Sequence, residues 1–244
     1  MDVLVMGKNE DWKSIEAARH HSKTADILVP GRRESLSIIA RLATLSVSDQ
    51  PRILDIGCGY GDFTMLILQM SPLASVCMVD FSGEMIQLAR KRFSINNRVK
   101  IIKHDLNNGI PDRLKSDKFD AVVSCHALHH IEHENKVELY TQINLVLDEG
   151  DLFINCDRYI GESPVISRWE FDNWVRWEAE QIRDKLGKDK TFDEVKEIQL
   201  ESDERLGDMP GTLWDTQRDL KQAGFQYIDC VWKNHNMGIV VATK

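Results

Sequence analysis

The segment Ile53-Leu54-Asp55-Ile56-Gly57-Cys58-Gly59-Tyr60-Gly61 contains the clearest indication of the fold, because an apolar strand runs directly into a turn of alternating glycines. Glycine has no Cβ atom, so such a turn lets the backbone take positive φ angles and approach a ligand closely. A helix is expected to begin near Gly61. A strand, a glycine turn and a helix N-terminus in this order are typical of nucleotide-like binding in parallel α/β sheets.

Short β-rich runs alternate with segments of helix length on either side of this turn. The predicted strands cover residues 52–56, 75–80, 99–104, 119–125 and 151–157, with helices starting near Gly61, Ser82 and Glu132. Two last strands, 225–232 and 236–242, are too close together for a crossover helix and must form an antiparallel hairpin. The sequence therefore predicts an α/β fold with a doubly wound, mostly parallel, seven-stranded Rossmann-like sheet and one antiparallel edge strand.

The segments outside this alternation are helical in character. Residues 9–21 and a helix starting near Pro30 form an N-terminal cap, and residues 163–207 form an insertion after the fifth strand. We expect a helical cap over 1–48, a cofactor-binding core over 49–160, an insertion over 161–210 that covers the substrate, and a C-terminal helix and hairpin over 211–244 that complete the core. With 244 residues, of which 42% are hydrophobic, one elaborated domain is expected.

The net charge of −8 argues against partners that are bound through phosphate groups. No apolar run is long enough to span a bilayer, and the N-terminus lacks the features of a signal peptide. We therefore expect a cytoplasmic protein that does not bind membranes and for which a nucleic acid is a disfavoured but open partner. The five cysteines form no Cys-x-x-Cys pair and are expected to be free thiols. The C-terminal hairpin is a candidate surface for a homodimer.

Acidic residues occur at the ends of the first three strands. Asp55 lies two residues before the first glycine of the turn, where a carboxylate would repel a pyrophosphate but could accept hydrogen bonds from an amino acid moiety. Asp80 ends the second strand, at the spacing suited to two ribose hydroxyls, and Asp105 follows the third, where it could accept from an adenine amino group beside Leu106. Each alone would be an ordinary cap or turn residue, but together they predict a site for adenosine joined to an amino acid.

At this point the chain resembles the class I S-adenosylmethionine-dependent methyltransferases. The resemblance lies in residues 53–61, Val79-Asp80-Phe81-Ser82, Lys103-His104-Asp105, Phe119-Asp120-Ala121-Val122-Val123-Ser124, Ala127-Leu128-His129-His130-Ile131 and Leu147-Asp148-Glu149-Gly150. It implies S-adenosylmethionine as the cofactor and S-adenosylhomocysteine as its product. The residues expected to bind the cofactor are Asp55, Gly57, Cys58, Gly59, Gly61, Asp80, Phe81, Met85, Asp105, Leu106, Cys125 and His126.

Four histidines, His126, His129, His130 and His133, follow the fourth strand. A histidine near the sulfonium has a pKa suited to deprotonating a hydroxyl or an ammonium group, and His130, then His129, is the expected general base. In an equally weighted alternative, one of these histidines packs under the insertion and another caps the next helix. Metal binding through His129 and His133 would need them on one helical face; without a nearby cysteine, no metal is expected.

The insertion is rich in tryptophan and arginine. In the family that the chain resembles, this segment carries acceptor specificity, so Trp169 and Trp174 are expected to wall off an acceptor. Arg168 and Arg176 could bind a carboxylate on the substrate or on a carboxylated cofactor. Alternatively, the tryptophans pack the insertion against the sheet, and the arginines are solvated charges on the helix surface.

Three functions remain open. The leading hypothesis is methylation of a small molecule at O, N or C. The second is a carboxy-S-adenosylmethionine synthase or a tRNA wobble-uridine modification enzyme, since Ile27-Leu28-Val29-Pro30-Gly31 and Val231-Trp232-Lys233-Asn234 are similar to the synthase group. The third is a non-catalytic protein that binds S-adenosylmethionine only to stabilise an assembly. A dehydrogenase is disfavoured by Asp55 and by the spacing of the glycines. Dinucleotide enzymes have a Gly-x-Gly-x-x-Gly turn, whereas the third glycine comes one residue earlier in this sequence.

Overall fold

A computed structural model describes residues 24–45 and 48–244 of the chain. The helix predicted over residues 9–21 lies outside the described residues. The helix expected near Pro30 is present as α1 (Arg32–Ala43), preceded by a helical turn over residues 24–28. Thirteen further strands and α-helices follow, and most of their bounds lie close to those predicted for the core. The fifth strand is the exception, because it begins at Leu147 and not at residue 151, and its pairing with the fourth strand shifts register between Phe119 and Ala121.

The alternating elements of the core run in the predicted order. They are β1 (Arg52–Ile56), α2 (Asp62–Met70), β2 (Ser75–Asp80), α3 (Gly83–Arg92), β3 (Val99–Lys103), β4 (Phe119–Cys125), α4 (His133–Leu145) and β5 (Leu147–Arg158). The insertion contributes α5 (Pro164–Leu186) and α6 (Phe192–Leu206), and the chain closes with α7 (Leu213–Gln222), β6 (Tyr227–Asn234) and β7 (Met237–Thr243).

The seven strands form one sheet in the order β3-β2-β1-β4-β5-β7-β6. All pairs from β3 to β5 are parallel, whereas β7 is antiparallel to both β5 and β6. The predicted α/β fold with an antiparallel edge is therefore confirmed. The antiparallel strand itself, β7, lies one place inside the edge, because the hairpin pairs with β5 through its second strand.

Both faces of the sheet are covered, as expected for a parallel sheet. The consecutive residues Ile53 and Leu54 are each fully buried but belong to different apolar clusters, because neighbouring side chains of a strand point to opposite faces. Helices α1, α2 and α3 pack on the face of Ile53, and α4 and α7 pack on the face of Leu54. The carboxyl ends of the central strands remain open between these layers.

The insertion is two helices rather than the single helical run predicted. Helix α5 ends at Gly187, which takes a left-handed conformation at φ 65°, and α6 begins at a capping box formed by Thr191 and Glu194. The two helices share a small apolar cluster of Val175, Ile182 and Val195. Within the described part of the chain, no helix has the length and apolarity that a membrane span requires.

Candidate active site

A cavity of about 880 Å³ lies at the carboxyl ends of β1, β2, β4 and β5. Helices α5 and α6 of the insertion form its opposite wall. Open α/β sheets bind ligands at this edge, and the volume lies in the range of small-molecule and cofactor sites. Of the residues predicted for the site, those that line the cavity are Asp55, Gly57, Cys58, Gly59, Asp80, Phe81, Met85, Asp105, Leu106, Cys125, His126, His129, His130 and Trp174.

The glycine turn lies directly against neighbouring strand ends. Gly57 has a φ of 68°, and a Cβ atom there would lie 2.1 Å from the Cβ atom of Ala127. The N–H groups of Gly57 and Cys58 both donate to the carbonyl oxygen of Val79, at 2.8 and 3.1 Å. Only glycine fits this position. Because the turn carries no side chain there, the space next to its backbone is left for a ligand.

Gly61 has a different role from the one predicted. It does not line the cavity, and a Cβ atom at its φ of 86° would lie 2.4 Å from the ring of Phe93. The residue is needed where the start of α2 packs against α3. Its contribution to a ligand site is therefore indirect, through the position of the turn.

The carboxylate of Asp80 is held by backbone donors on both of its oxygens. Gly59 N donates to Oδ2 at 2.8 Å, and Ser82 N donates to Oδ1 at 2.9 Å. Burial raises the pKa of Asp80, although these hydrogen bonds act in the opposite direction. Each oxygen keeps a further lone pair, so the side chain is fixed in a position to accept from two ligand hydroxyls.

Asp55 is more deeply buried and has one partner. The hydroxyl of Thr64 donates to Oδ2 at 2.6 Å, but burial, together with the nearby charge of Asp80, raises the pKa of Asp55 to about 7. An ammonium group in the cavity would stabilise the ionised form. Asp105 is placed differently, since its Oδ1 caps a short 3₁₀ turn by accepting from Asn107 N at 2.9 Å.

His126, which directly follows β4, has an unusual backbone conformation. His126 takes a left-handed conformation at φ 55°, and its backbone N–H donates to the carbonyl oxygen of Cys156 at 2.8 Å. A non-glycine residue at positive φ is uncommon and often lies at a functional site. Its Nε2 atom is buried without a partner among the described residues. Both His126 and Cys125 lie at the cavity wall.

His129 forms a buried pair with Asp157 at the end of β5. The Nδ1 atom of His129 lies 2.5 Å from Oδ1 of Asp157. Burial alone would lower the pKa of His129, but the negative charges of Asp157 and Asp208 outweigh it and raise that pKa. Burial would raise the pKa of Asp157, yet the contact with His129 keeps it below its usual value. The carboxylate is an acceptor only, so Nδ1 carries the proton.

His130 faces a second carboxylate, Asp208, which follows α6. Its Nδ1 atom lies 3.1 Å from Oδ1 of Asp208, and Nε2 of His129 lies 3.8 Å from the same oxygen. Arg158 binds the other side of this group, with Nη1 3.1 Å from Oδ2 of Asp208 and both terminal nitrogens 2.5 Å from Asp203. The network connects the histidine pair to the insertion.

These contacts also bear on metal binding. His129, His130 and Asp208 offer ligand atoms that lie within 4.8 Å of one another, and His133 is not part of this set. Arg158 contributes a positive charge against Asp208, and Nδ1 of His129 is already bound to Asp157. A cation would have to compete with the guanidinium for the same carboxylate.

Of the four insertion residues predicted to bind substrate, only Trp174 lines the cavity. Trp169 is 61% exposed, Arg168 lines a separate surface depression, and Arg176 stacks on the ring of Phe192 at 5.2 Å. The cause is helical geometry: the face of α5 that meets the cavity carries residues four apart, Trp174 and Glu178, and the other three lie on different faces.

The sequence did not predict four residues that belong to the site, namely Asp157, Arg158, Glu178 and Asp208. A signal existed for Asp157, since it is a further acidic residue at the end of a predicted strand. Asp208 and Glu178 come from the insertion, where many acidic residues occur and most are exposed. Only the packing of the insertion over the sheet selects them.

Comparisons with known proteins find similarity to methyltransferases. A family model described as a methyltransferase domain matches residues 53–150. A carboxy-S-adenosyl-L-methionine synthase of Campylobacter lari is 23% identical over 217 residues, covering 88% of this chain and 87% of that protein. A malonyl-[acyl-carrier protein] O-methyltransferase of Halalkalibacterium halodurans is 31% identical over 121 residues, which cover 47% of this chain and 44% of that protein.

A similar fold is found among solved structures. Human N-acetylserotonin methyltransferase in complex with S-adenosylmethionine superposes with a TM-score of 0.59 at 14% identity, covering 96% of this chain and 57% of that one. At this identity the match concerns the fold. The chain spans less than two thirds of the length of several of the proteins that it matches, as in these two cases with 44% and 57%.

Proposed function

Because the chain belongs to the class I S-adenosylmethionine-dependent methyltransferases, we propose that it methylates a small-molecule acceptor at an O, N or C nucleophile. One observation carries the proposal. The cavity beside the glycine turn, lined by Asp55, Asp80 and Asp105, is continuous with the space in front of His129 and His130. One cavity can thus hold a cofactor and an acceptor together.

The residues at the strand ends fit the cofactor of this family. Asp80 would accept from the two ribose hydroxyls, and its backbone hydrogen bonds fix its orientation for this. Asp55 in its ionised form would bind the amino acid ammonium, and Asp105 with Leu106 would hold the adenine. The backbone at Gly57 and Gly59 allows close approach. When bound, S-adenosylmethionine supplies a methyl group on a positively charged sulfur.

The protein's part in the reaction is alignment, proton removal and exclusion of water. His130 accepts the proton of the acceptor's nucleophile, which favours a hydroxyl group. His129 supports this role as a neighbour whose ring is fixed by Asp157, with ring centroids of the two histidines 4.1 Å apart. Helix α6 is bound to β5 through the ion pair of Asp203 with Arg158, and α5 contacts the same guanidinium through the ring of Trp174. Both helices close over the acceptor.

A carboxylated cofactor is the competing function, and it would need an arginine that can bind the extra carboxylate. The cavity contains Arg32, Arg158 and Arg205. Arg32 is bound to Asp26 and Asp62, and Arg158 is bound to Asp203 and Asp208. The ion pairs of Arg32 and Arg158 favour methyl transfer over carboxyl transfer. Arg205, which donates to Oγ of Ser202 at 3.2 Å, is the arginine that a carboxylated cofactor would have to use. The acidic lining also favours a small molecule over a nucleic acid.

The decisive experiment identifies the cofactor and then the acceptor. The ligand that co-purifies with the protein is released and weighed by mass spectrometry, and S-adenosylmethionine carrying a labelled methyl group is then screened against acceptor classes. Recovery of S-adenosylmethionine or S-adenosylhomocysteine and label transfer to a small molecule are expected. A cofactor heavier by one carboxylate would favour the competing function, and binding without transfer to any acceptor would favour a non-catalytic partner.

A further inference from the structure

Two buried side chains of α5 carry polar atoms that have no hydrogen-bond partner among the described residues. One is Oε2 of Glu178, a residue that is 2% exposed, and the other is Nε1 of Trp174, which is 8% exposed. Both residues line the cavity, one helical turn apart. Buried polar atoms are almost always hydrogen-bonded, so an orphaned acceptor beside an orphaned donor points to a ligand.

The Glu178 side chain is held ready for such a contact. Its Oε1 atom accepts from Nε2 of Gln199 on α6 at 2.7 Å, which fixes the carboxyl group and leaves Oε2. Burial raises the pKa of Glu178 to about 8, and the charge of Asp203 adds to this, while that of Arg158 acts against it. Arg158 itself is committed to Asp203 and Asp208. A cation beside Oε2 would stabilise the ionised form of this carboxyl group.

The charge of the whole cavity agrees with a cationic ligand. Nine acidic residues but only three arginines line it. One positive charge is expected from the cofactor's sulfonium, and the acidic residues still exceed the basic ones after it is counted. A second cation in the same cavity would lower the electrostatic cost of this excess.

We propose that Glu178 and Trp174 form a recognition subsite for an acceptor that bears a protonated amino group. This inference rests on the proposed function. The ammonium donates to Oε2 of Glu178, and the indole N–H of Trp174 donates to an oxygen of the same molecule.

The subsite is separate from the histidine pair. The guanidinium of Arg158 lies 4.8 Å above the ring of Trp174 and also contacts Asp208, which in turn faces His130. Two side chains thus separate Trp174 from the base. The amino group is an anchor, and the atom that receives the methyl group is a hydroxyl at another point of the molecule. The substrate class is therefore a small hydroxy-amine.

The test compares matched probes that differ only at the anchor. Tyramine is paired with 4-propylphenol, and 5-amino-1-pentanol with 1-hexanol, because each pair exchanges an ammonium for a methyl group. Calorimetric binding is measured with the protein saturated with S-adenosylhomocysteine. In the wild type, at least one amine should bind about tenfold more tightly than its partner or better. Glu178→Gln should reduce that preference to about twofold or less.

Glu180→Gln is the matched control, since it makes the same change on an exposed face of the same helix outside the cavity. It should keep the amine preference. The inference is overturned if neither amine binds more tightly than its partner, or if Glu178→Gln keeps the preference. Affinity for S-adenosylhomocysteine is measured in every variant. If the wild-type protein does not bind S-adenosylhomocysteine, the proposed function is contradicted. If it binds S-adenosylhomocysteine but does not prefer the amines, only this inference is contradicted.

Discussion

The Nδ1 atom of His129 lies 2.5 Å from Oδ1 of Asp157, so a histidine that follows β4 is fixed by a carboxylate at the end of β5. Parallel pairing of β4 with β5 brings Cys125 opposite Cys156, which places the residues after each strand side by side. The sheet itself therefore orients the imidazole. Both partners are almost fully buried, so the contact is shielded from water.

Asp157→Asn should lower turnover at least about tenfold while leaving cofactor affinity within about twofold, because the amide cannot enforce the proton on Nδ1. Labelled-methyl transfer to the acceptor found in the screen measures turnover, and calorimetry measures affinity. Asp148→Asn, an exposed position on the same strand, is the control. Unchanged turnover in Asp157→Asn would remove this contact from the mechanism.

His130→Ala should lower turnover without abolishing cofactor binding, because the base is lost while the strand-end carboxylates remain. A reduction of about a hundredfold is expected if proton removal limits the rate. His133→Ala lies three residues further on, exposed and outside the cavity, and should keep full activity. Equal turnover in the two variants would show that His130 takes no part in the chemistry.

Asp80→Ala should weaken binding of S-adenosylmethionine more than about tenfold, because a buried pair of hydrogen bonds to the ribose is lost. The measurement is isothermal calorimetry of the purified variant. Asp112→Ala provides a comparison in which a fully exposed carboxylate is removed. An affinity equal to that of the wild type would disprove the ribose assignment.

Asp55 should make the stability of the cofactor-free protein depend on pH. Its pKa is about 7 in the folded state against 3.8 for a free side chain, so the folded state prefers the protonated form. Ionisation costs folding free energy, and stability should therefore fall as the pH rises from about 4 through about 7. Relative to Asp55→Asn, the loss should reach at most about 4 kcal/mol, measured by urea unfolding at several pH values. Parallel curves for both proteins would contradict the assignment.

Removal of metal ions should leave turnover unchanged. Arg158 occupies one side of Asp208 with a positive charge, and Asp157 holds Nδ1 of His129, so the cluster is already charge-paired. The protein is dialysed against a chelator and assayed for labelled-methyl transfer with the acceptor identified in the screen. Loss of activity that one divalent metal restores would instead point to a metal site, either at His129, His130 and Asp208 or at Cys125, His126 and Cys156, the two groups among the described residues whose ligand atoms lie within 4.8 Å of one another.

The sequence predicts the core well because its signals are local. The glycine turn after β1, and the acidic residues Asp55 and Asp80, follow from spacing within a few residues of a strand end. The break in the insertion was missed, although Gly187 and the capping box of Thr191 and Glu194 are sequence signatures of a helix end and a helix start.

The wall of the site could not be predicted in the same way. Trp169 and Trp174 are equally aromatic, and only the packing of α5 on the rest of the fold decides that Trp174 faces the cavity. Asp208 resembles many other acidic residues of the insertion until the ion pair with Arg158 brings it beside His130. Such selections depend on long-range contacts, which a local pattern does not contain.

Asp157 and Arg158 are neighbours on one strand, yet the first holds a histidine and the second holds the insertion through Asp203 and Asp208. Asp208 lies two residues after the end of α6, so an outward displacement of α6 would also draw Asp208 away from His130. Under the proposed mechanism, opening the entrance would therefore separate the proposed base from its carboxylate, and closing it would bring the two together again. An enzyme built this way is ready to react only while its substrate is enclosed, which protects a reactive methyl donor from loss to solvent.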